Sequence, residues 1–356
     1  MKRKLISSIA AISLAVASAV SLTSSASGTP RDPNGDGAVN MSDAVFITQH
    51  LVGSQHPSNL TPLDFDQNGI ISQVDTYKVQ LWCLNSNNVP DRNPNDPVVA
   101  PSTGTRSYRR HDYHSGSLSS YTSYSLTTSI TLNNGVNMTS IVEPNDMVRD
   151  YDTAIVKLSN GNSGFIVGDH IIATTADSDY NRTTSKFKSF TVNIVGSGAN
   201  VLATYSPRYV HIPTSYAYGS MVAEHNYALV YIEEDLSQYG KLKMGEALDS
   251  YGNGNNPIIV SGFPTVYPDG YSNAPDGIRF KALGSTTGAT PYYLYYNVDS
   301  TDSEFGGPVY AEEGVFINNE LEDYKTVIAI HSDSNKGIRI NGNILKFYYT
   351  NNHLTS

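Results

Sequence analysis

The chain has a single cysteine in 356 residues, Cys83, so it can close no disulfide on itself. Its stability has to come from packing and, where ligands allow, from metal. Positive charge is also scarce: 23 Lys and Arg face 33 Asp and Glu, a net charge of −10. That balance argues against nucleic acid as a partner and suits cation binding. Long apolar runs are missing after the stretch from Leu5 to Leu22. No later segment approaches the roughly 20 apolar residues of a membrane helix. What is abundant is turn and strand chemistry, with 28 glycines and 25 tyrosines among scattered Asn, Ser and Thr. Cys83 follows the lone tryptophan, Trp82, and reads as a small buried apolar residue.

The Leu5–Leu22 run follows Lys2-Arg3-Lys4 and leads into Ser24, Ser25 and Ala26. Basic, apolar, then small is the order of an export signal, predicted over residues 1–27. Its removal would leave a secreted, extracellular chain with no membrane insertion.

Two later stretches repeat one pattern. Asp32, Asn34, Asp36, Ala38, Asn40 and Asp43 fall at positions one, three, five, seven, nine and twelve of the first. Asp64, Asp66, Asn68, Ile70, Ser72 and Asp75 do so in the second. Alternate side chains converge on one point, the seventh residue offers its carbonyl, and the twelfth adds a closing carboxylate. A hard cation wanting roughly six to eight oxygens is served, so the pattern predicts two calcium ions. Gly37 and Gly69 stand at position six, where the chain turns sharply. An amphipathic helix is legible after each loop, through Ala44, Ile47 and Leu51, then through Val74, Tyr77, Leu81 and Leu84.

Duplicated loop-helix units with aspartate at position twelve, over residues 30–86, resemble a type I dockerin domain. The resemblance implies a cohesin on a scaffold protein as partner and, through that scaffold, a place at the cell surface. It also implies that Met41 and Ser42, and Gln73 and Val74, at positions ten and eleven, read the partner. The two pairs differ, so a symmetric binding mode does not follow.

Residues 87–106 carry Pro90, Pro94, Pro97 and Pro101 among polar residues. They read as an extended linker that lets the next domain move independently. Residues 107–138 leave two readings, a strand-forming lead-in or the remnant of a pro-segment. From Thr139 onward, short runs such as TAIVKL, SGFIVG, HIIATT, YALVYI and TVIAIH alternate with Gly, Asn, Asp and Pro. This is all-β patterning, sandwich or barrel.

The order of landmarks narrows it: SGFIVGDHIIATTADS, HNYALVYIEEDLS, VSGFP, EFGGPVY and AIHSDSNKGIRI. Together they resemble trypsin-like serine proteases, in particular bacterial glutamyl endopeptidases. The resemblance implies a trypsin-like double six-stranded β-barrel within residues 107–356, with its site in the cleft between barrels.

Carried over residue by residue, the catalytic triad falls on Asp177, Asn226 and Phe305, 49 and then 79 residues apart. Acyl transfer needs a nucleophile, a base near neutral pKa and an anion that orients the base. A phenyl ring has no lone pair, a carboxylate with an ordinary pKa near ~3.9 is too weak a base, and an amide carries no charge. No active catalytic residue is therefore predicted. The same resemblance puts His331 and Ser300 in the pocket that reads an acidic side chain, although His331 reads equally well as a structural relic beside Asp333. Three functions stay open. One is an inactive fold binding acidic peptide segments or protease inhibitors, another an endopeptidase with a shifted serine, and a third a carbohydrate-binding β domain.

Overall fold

Each acidic loop hands its chain to a helix by capping it. Helix α1 (Met41–Leu51) opens with Asn40 accepting from Ser42 N, while the Asp43 carboxylate accepts from Asn40 N, a reciprocal capping box. Strand β1 (Ile70–Ile71) precedes helix α2 (Gln73–Asn85), where Asp75 accepts from Ser72 N at 2.8 Å in the same role. Ala44, Ile47 and Leu51 face the core, as their spacing predicts. Cys83 departs from expectation and is exposed. Its neighbour Trp82 packs towards the core, its ring edge-on to Phe65 with centroids 6.4 Å apart.

The architecture comes from a computed structural model that describes residues 32–55, 57–85, 100–112, 118–129, 148–150, 152–196, 199–219, 223–264, 277–298, 300, 304–317, 320–333 and 335–350. The predicted export signal, residues 1–27, lies outside the described residues.

Strands β2 (Ala100–Asp112) and β3 (Leu118–Ser129) form a hairpin, and the first strand begins inside the expected linker. After β4 (Val148–Arg149) come β5 (Ile155–Leu158), β6 (Ser163–Gly168) and β7 (Ile171–Thr174). Helix α3 (Ala176–Asp179), β8 (Tyr180–Asn181) and β9 (Lys186–Phe187) lead to β10 (Val192–Val195), β11 (Val201–Tyr205) and β12 (Tyr209–Pro213). Helix α4 (Thr214–Tyr218) and β13 (Ala228–Tyr231) complete this half. Its strands pair in the order β11-β10-β5-β6-β7-β13-β12-β2-β3, and no pairing among the described residues closes them into a ring. The outer edge of β12, which closure would use, is taken by β2.

The second half contains β14 (Lys243–Met244), β15 (Glu246–Ala247), α5 (Asp249–Asn253), β16 (Pro257–Gly262), β17 (Phe280–Ala289) and β18 (Tyr293–Asn297). It continues with β19 (Pro308–Ile317), β20 (Glu320–Asp333), β21 (Lys336–Arg339) and helix α6 (Gly342–Thr350). Here β20-β19-β16-β17-β18-β21 closes on itself, because β21 also pairs β20. This is a six-stranded barrel filled by Val260, Phe280, Leu294, Tyr296, Val309 and Ile328 among others. Buried Arg279 ties it to the first sheet, donating to the carbonyls of Ile155 (3.0 Å) and Val195 (3.3 Å). A buried guanidinium needs such acceptors to offset its lost hydration.

The small helical module packs against the β domain. Ile70 and Ile71 pair antiparallel with Ala247 and Glu246, and Leu248 N donates to Gly69 O at 2.7 Å. His50 Nε2 meets Glu246 Oε2 at 3.1 Å, with both side chains buried. Tyr77 packs on Tyr324 at 5.5 Å between centroids. The segment 246–249 is itself fixed to the barrel, since Arg339 donates to Asp249 Oδ1 at 2.6 Å and to Ala247 O. Ile47, Leu63 and Phe65 share one hydrophobic cluster with Val327, Ile344 and Phe347. A linker allows independent motion only when the domains bury little against each other, and these bury a β pairing and a common core.

Candidate functional site

In the first loop, Asp32 accepts from Gly35 N (2.8 Å) and Gly37 N (2.6 Å), and Asp43 accepts from Asn34 N (3.1 Å) and Asn40 N (2.8 Å). The second loop repeats the scheme. Asp64 accepts from Gly69 N (2.9 Å), while Asp75 accepts from Phe65 N (2.6 Å) and Ser72 N (2.8 Å). In both, the position-one and position-twelve carboxylates wrap the backbone inward. Both position-six glycines take left-handed φ, +93° for Gly37 and +88° for Gly69, which side chains other than glycine adopt at a cost.

Carboxylate oxygens of Asp64, Asp66 and Asp75 lie within 4.8 Å of one another. Asp75 is fully buried and its carboxyl is pushed well up by burial and by the charges of Asp66, Asp64 and Glu313. The donors are all oxygen, carboxylate-rich and convergent, which fits a hard divalent cation such as calcium. The carbonyls of Ala38 and Ile70 occupy the seventh positions.

The four expected partner-reading residues separate. Met41 is 43% exposed and Ser42 is part-exposed beside it. Gln73 is half-buried and donates to Tyr77 OH at 2.7 Å, and Val74 is 1% exposed. Val74 is therefore not presented to a partner, because its end of α2 faces the packed interior.

Of the three positions expected for a triad, Asp177 and Asn226 meet within the first half. Asp177 stands on α3 just past β7, and Asn226 two residues before β13, which pairs β7. They are bonded reciprocally: Asp177 N donates to Asn226 Oδ1 at 2.9 Å, and Asn226 Nδ2 donates to Asp177 Oδ2 at 3.0 Å. Lys188 Nζ donates to Asp177 O at 2.5 Å.

Phe305 comes from the other half, before β19, and its carbonyl accepts from Ser163 N at 2.9 Å. Gly306 fits against the same strand end. A Cβ there would meet Ser163 O at 2.2 Å and Thr174 Oγ1 at 2.3 Å, at a φ of +88°. Beneath the turn, Gly306 N donates to His331 O and His331 N to Gly307 O.

His331 is fully buried, and the Phe305 ring stands edge-on to it, 5.5 Å between centroids. Its Nδ1 is hydrogen-bonded to Tyr296 OH at 2.6 Å, while Nε2 has no hydrogen-bond partner among the described residues. Burial pulls its pKa down to about 3, against the opposing charge of Asp333, so the ring is neutral. A neutral, fully buried imidazole does not present itself to an acidic side chain. Ser300 is also buried. Ser303, the nearest alternative hydroxyl, lies outside the described residues. Sequence reasoning missed the reciprocal Asp177–Asn226 bonding, for which complementary amide and carboxylate at paired strand ends was the available signal.

Residues 30–80 match the dockerin type I domain family. No curated protein matches the chain. Among solved structures, a Glu endopeptidase in complex with MPD is similar at 14% identity and a TM-score of 0.47, over 59% of this chain and 98% of that one. No helix among the described residues is long and apolar enough to cross a membrane.

Proposed function

We propose that the chain is a secreted protein that plugs into a scaffold through its dockerin module and carries a trypsin-like domain that binds peptide or protein without cleaving it. The dockerin match supports docking to a cohesin, and the two oxygen-lined loops support one calcium ion each. With Val74 buried and Met41 exposed, the first loop-helix copy is the better partner-reading face.

The observation that carries the non-catalytic reading is Phe305, which the sequence resemblance puts at the nucleophile position and whose ring packs edge-on to the buried His331. The Asp177–Asn226 pair adds to it. Bonded to each other, they put a carboxylate where the base would stand and an uncharged amide where the orienting anion would stand. Removing only the orienting aspartate of a triad costs about 10⁴ in rate, and here every member differs.

Purified full chain incubated with Glu-containing fluorogenic peptides and a serine-directed fluorophosphonate should give neither turnover nor labelling. Phe305→Ser should stay inactive, since the base is still missing. Turnover that disappears in Ser303→Ala would overturn the proposal in favour of a shifted nucleophile.

A further inference from the structure

We propose that Glu313, on barrel strand β19, is a fourth carboxylate of the second calcium site, so that the ion in that loop joins the dockerin module to the barrel. Glu313 is 6% exposed and 241 residues from Ser72 in sequence. Its Oε1 accepts from Asn68 Nδ2 at 2.8 Å and from Ser72 Oγ at 3.1 Å, the side chains at loop positions five and nine. The Thr326 hydroxyl lies against the same carboxylate. Oε2 is nevertheless buried with no partner in hydrogen-bonding geometry among the described residues.

A buried carboxylate oxygen without a donor costs several kcal/mol of lost hydration unless the group takes up a proton or a cation compensates. The surroundings make that cost larger. Glu313 faces a loop that already gathers Asp64, Asp66 and Asp75, where Lys78 pairs with Asp66. Four carboxylates against one ammonium leave an excess of negative charge at a half-buried junction, and a divalent ion at the loop centre offsets it at once.

The first loop supplies the internal comparison. There the amides of Asn34 and Asn40 donate to Asp36 within their own loop, and among the described residues no barrel carboxylate bonds to that loop. The second loop offers only a serine hydroxyl at position nine, and Glu313 arrives on that side. In calcium loops of this kind the ninth position often reaches the ion through water, and an extra carboxylate there strengthens the site by its charge.

The proposal rests on the calcium reading of the second loop, and its test separates the two. Trp82, the chain's lone tryptophan, packs on Phe65 of that loop and reports its state. Calcium-depleted full chain is titrated with calcium by Trp82 fluorescence and by calorimetry, as wild type, Glu313→Gln and Glu312→Gln. Glu312, adjacent but exposed, is the control.

Glu313→Gln should weaken the calcium transition seen by Trp82 at least tenfold, leave the other site within about twofold, and leave the control unchanged. A Glu313→Gln titration that overlays wild type overturns the role of Glu313. Absence of any wild-type calcium response overturns the calcium reading itself. If Glu313→Gln folds poorly, the calcium-induced rise in Tm is compared instead, using Glu313→Asp where needed. A smaller rise than wild type supports the proposal, and an equal rise overturns it.

Discussion

At the scale of single residues, His331 shows how burial decides chemistry. The same imidazole that the sequence offers as a reader of acidic side chains is held neutral by burial, edge-on to Phe305 and bonded to Tyr296. Its folded pKa of about 3 lies below the ordinary histidine value of 6.5. Between those values the unfolded chain binds a proton that the native chain does not, so stability rises with pH across this window. The contribution is complete above pH 6.5 and is lost as pH falls from there towards 3. One proton corresponds to about 1.4 kcal/mol per pH unit. Replacing His331 by Gln removes the titrating group. The loss of urea-unfolding stability between pH 6 and pH 4 should therefore be about 2–3 kcal/mol smaller than in wild type, whatever the variant's absolute stability. Equal losses would mean that His331 is protonated, or exposed, in the folded chain.

At the scale of elements, what was legible depended on how far apart the interacting residues stand. The calcium-type loops, their helices and the position-six glycines could be read directly because every partner lies within twelve positions. The short β runs were legible through alternation and turn residues. The β2–β3 hairpin was not, because its Ser, Thr and Tyr content has no apolar alternation and its pairing is a backbone matter. Docking of the small module was hidden for the same reason of distance, since His50 and Glu246 are 196 residues apart and Asn68 and Glu313 are 245 apart. The two loop glycines test the consequence. Both take positive φ, so alanine at either costs about 1–2 kcal/mol in strain. An added Cβ at Gly37 meets nothing within 4 Å, whereas at Gly69 it meets Tyr251 Cβ at 2.9 Å and a Tyr251 backbone that cannot easily yield. Gly69→Ala should lose about 1–3 kcal/mol more than Gly37→Ala in calcium-saturated denaturation, the usual range for overpacking. Equal losses would mean that the second loop is undocked.

At the scale of the whole molecule, calcium and cooperativity become one question. An acidic plug on a free linker would melt alone when calcium is withdrawn and leave the barrel untouched. The structure instead gives the plug a β pairing with residues 246–247, a contact between Gly53 and Lys346 of α6, and side chains in the same hydrophobic cluster as Val327 and Phe347. Units that share a core unfold together. Calcium bound only by the native state stabilises it by RT ln(1 + [Ca]/Kd), about 4 kcal/mol for a site at a thousandfold excess over Kd. Because the site belongs to the common unit, that stabilisation extends to the barrel. Differential scanning calorimetry of the full chain should show one transition in excess calcium and one in EDTA, the latter lower by roughly 5–10 °C for a chain of this size. The barrel's near-ultraviolet tyrosine signal should move with the Trp82 signal. Two separated transitions in EDTA, with the tyrosine signal at its calcium-loaded midpoint, would mean that the module rides on its linker and that the residues joining it to the barrel carry no energy.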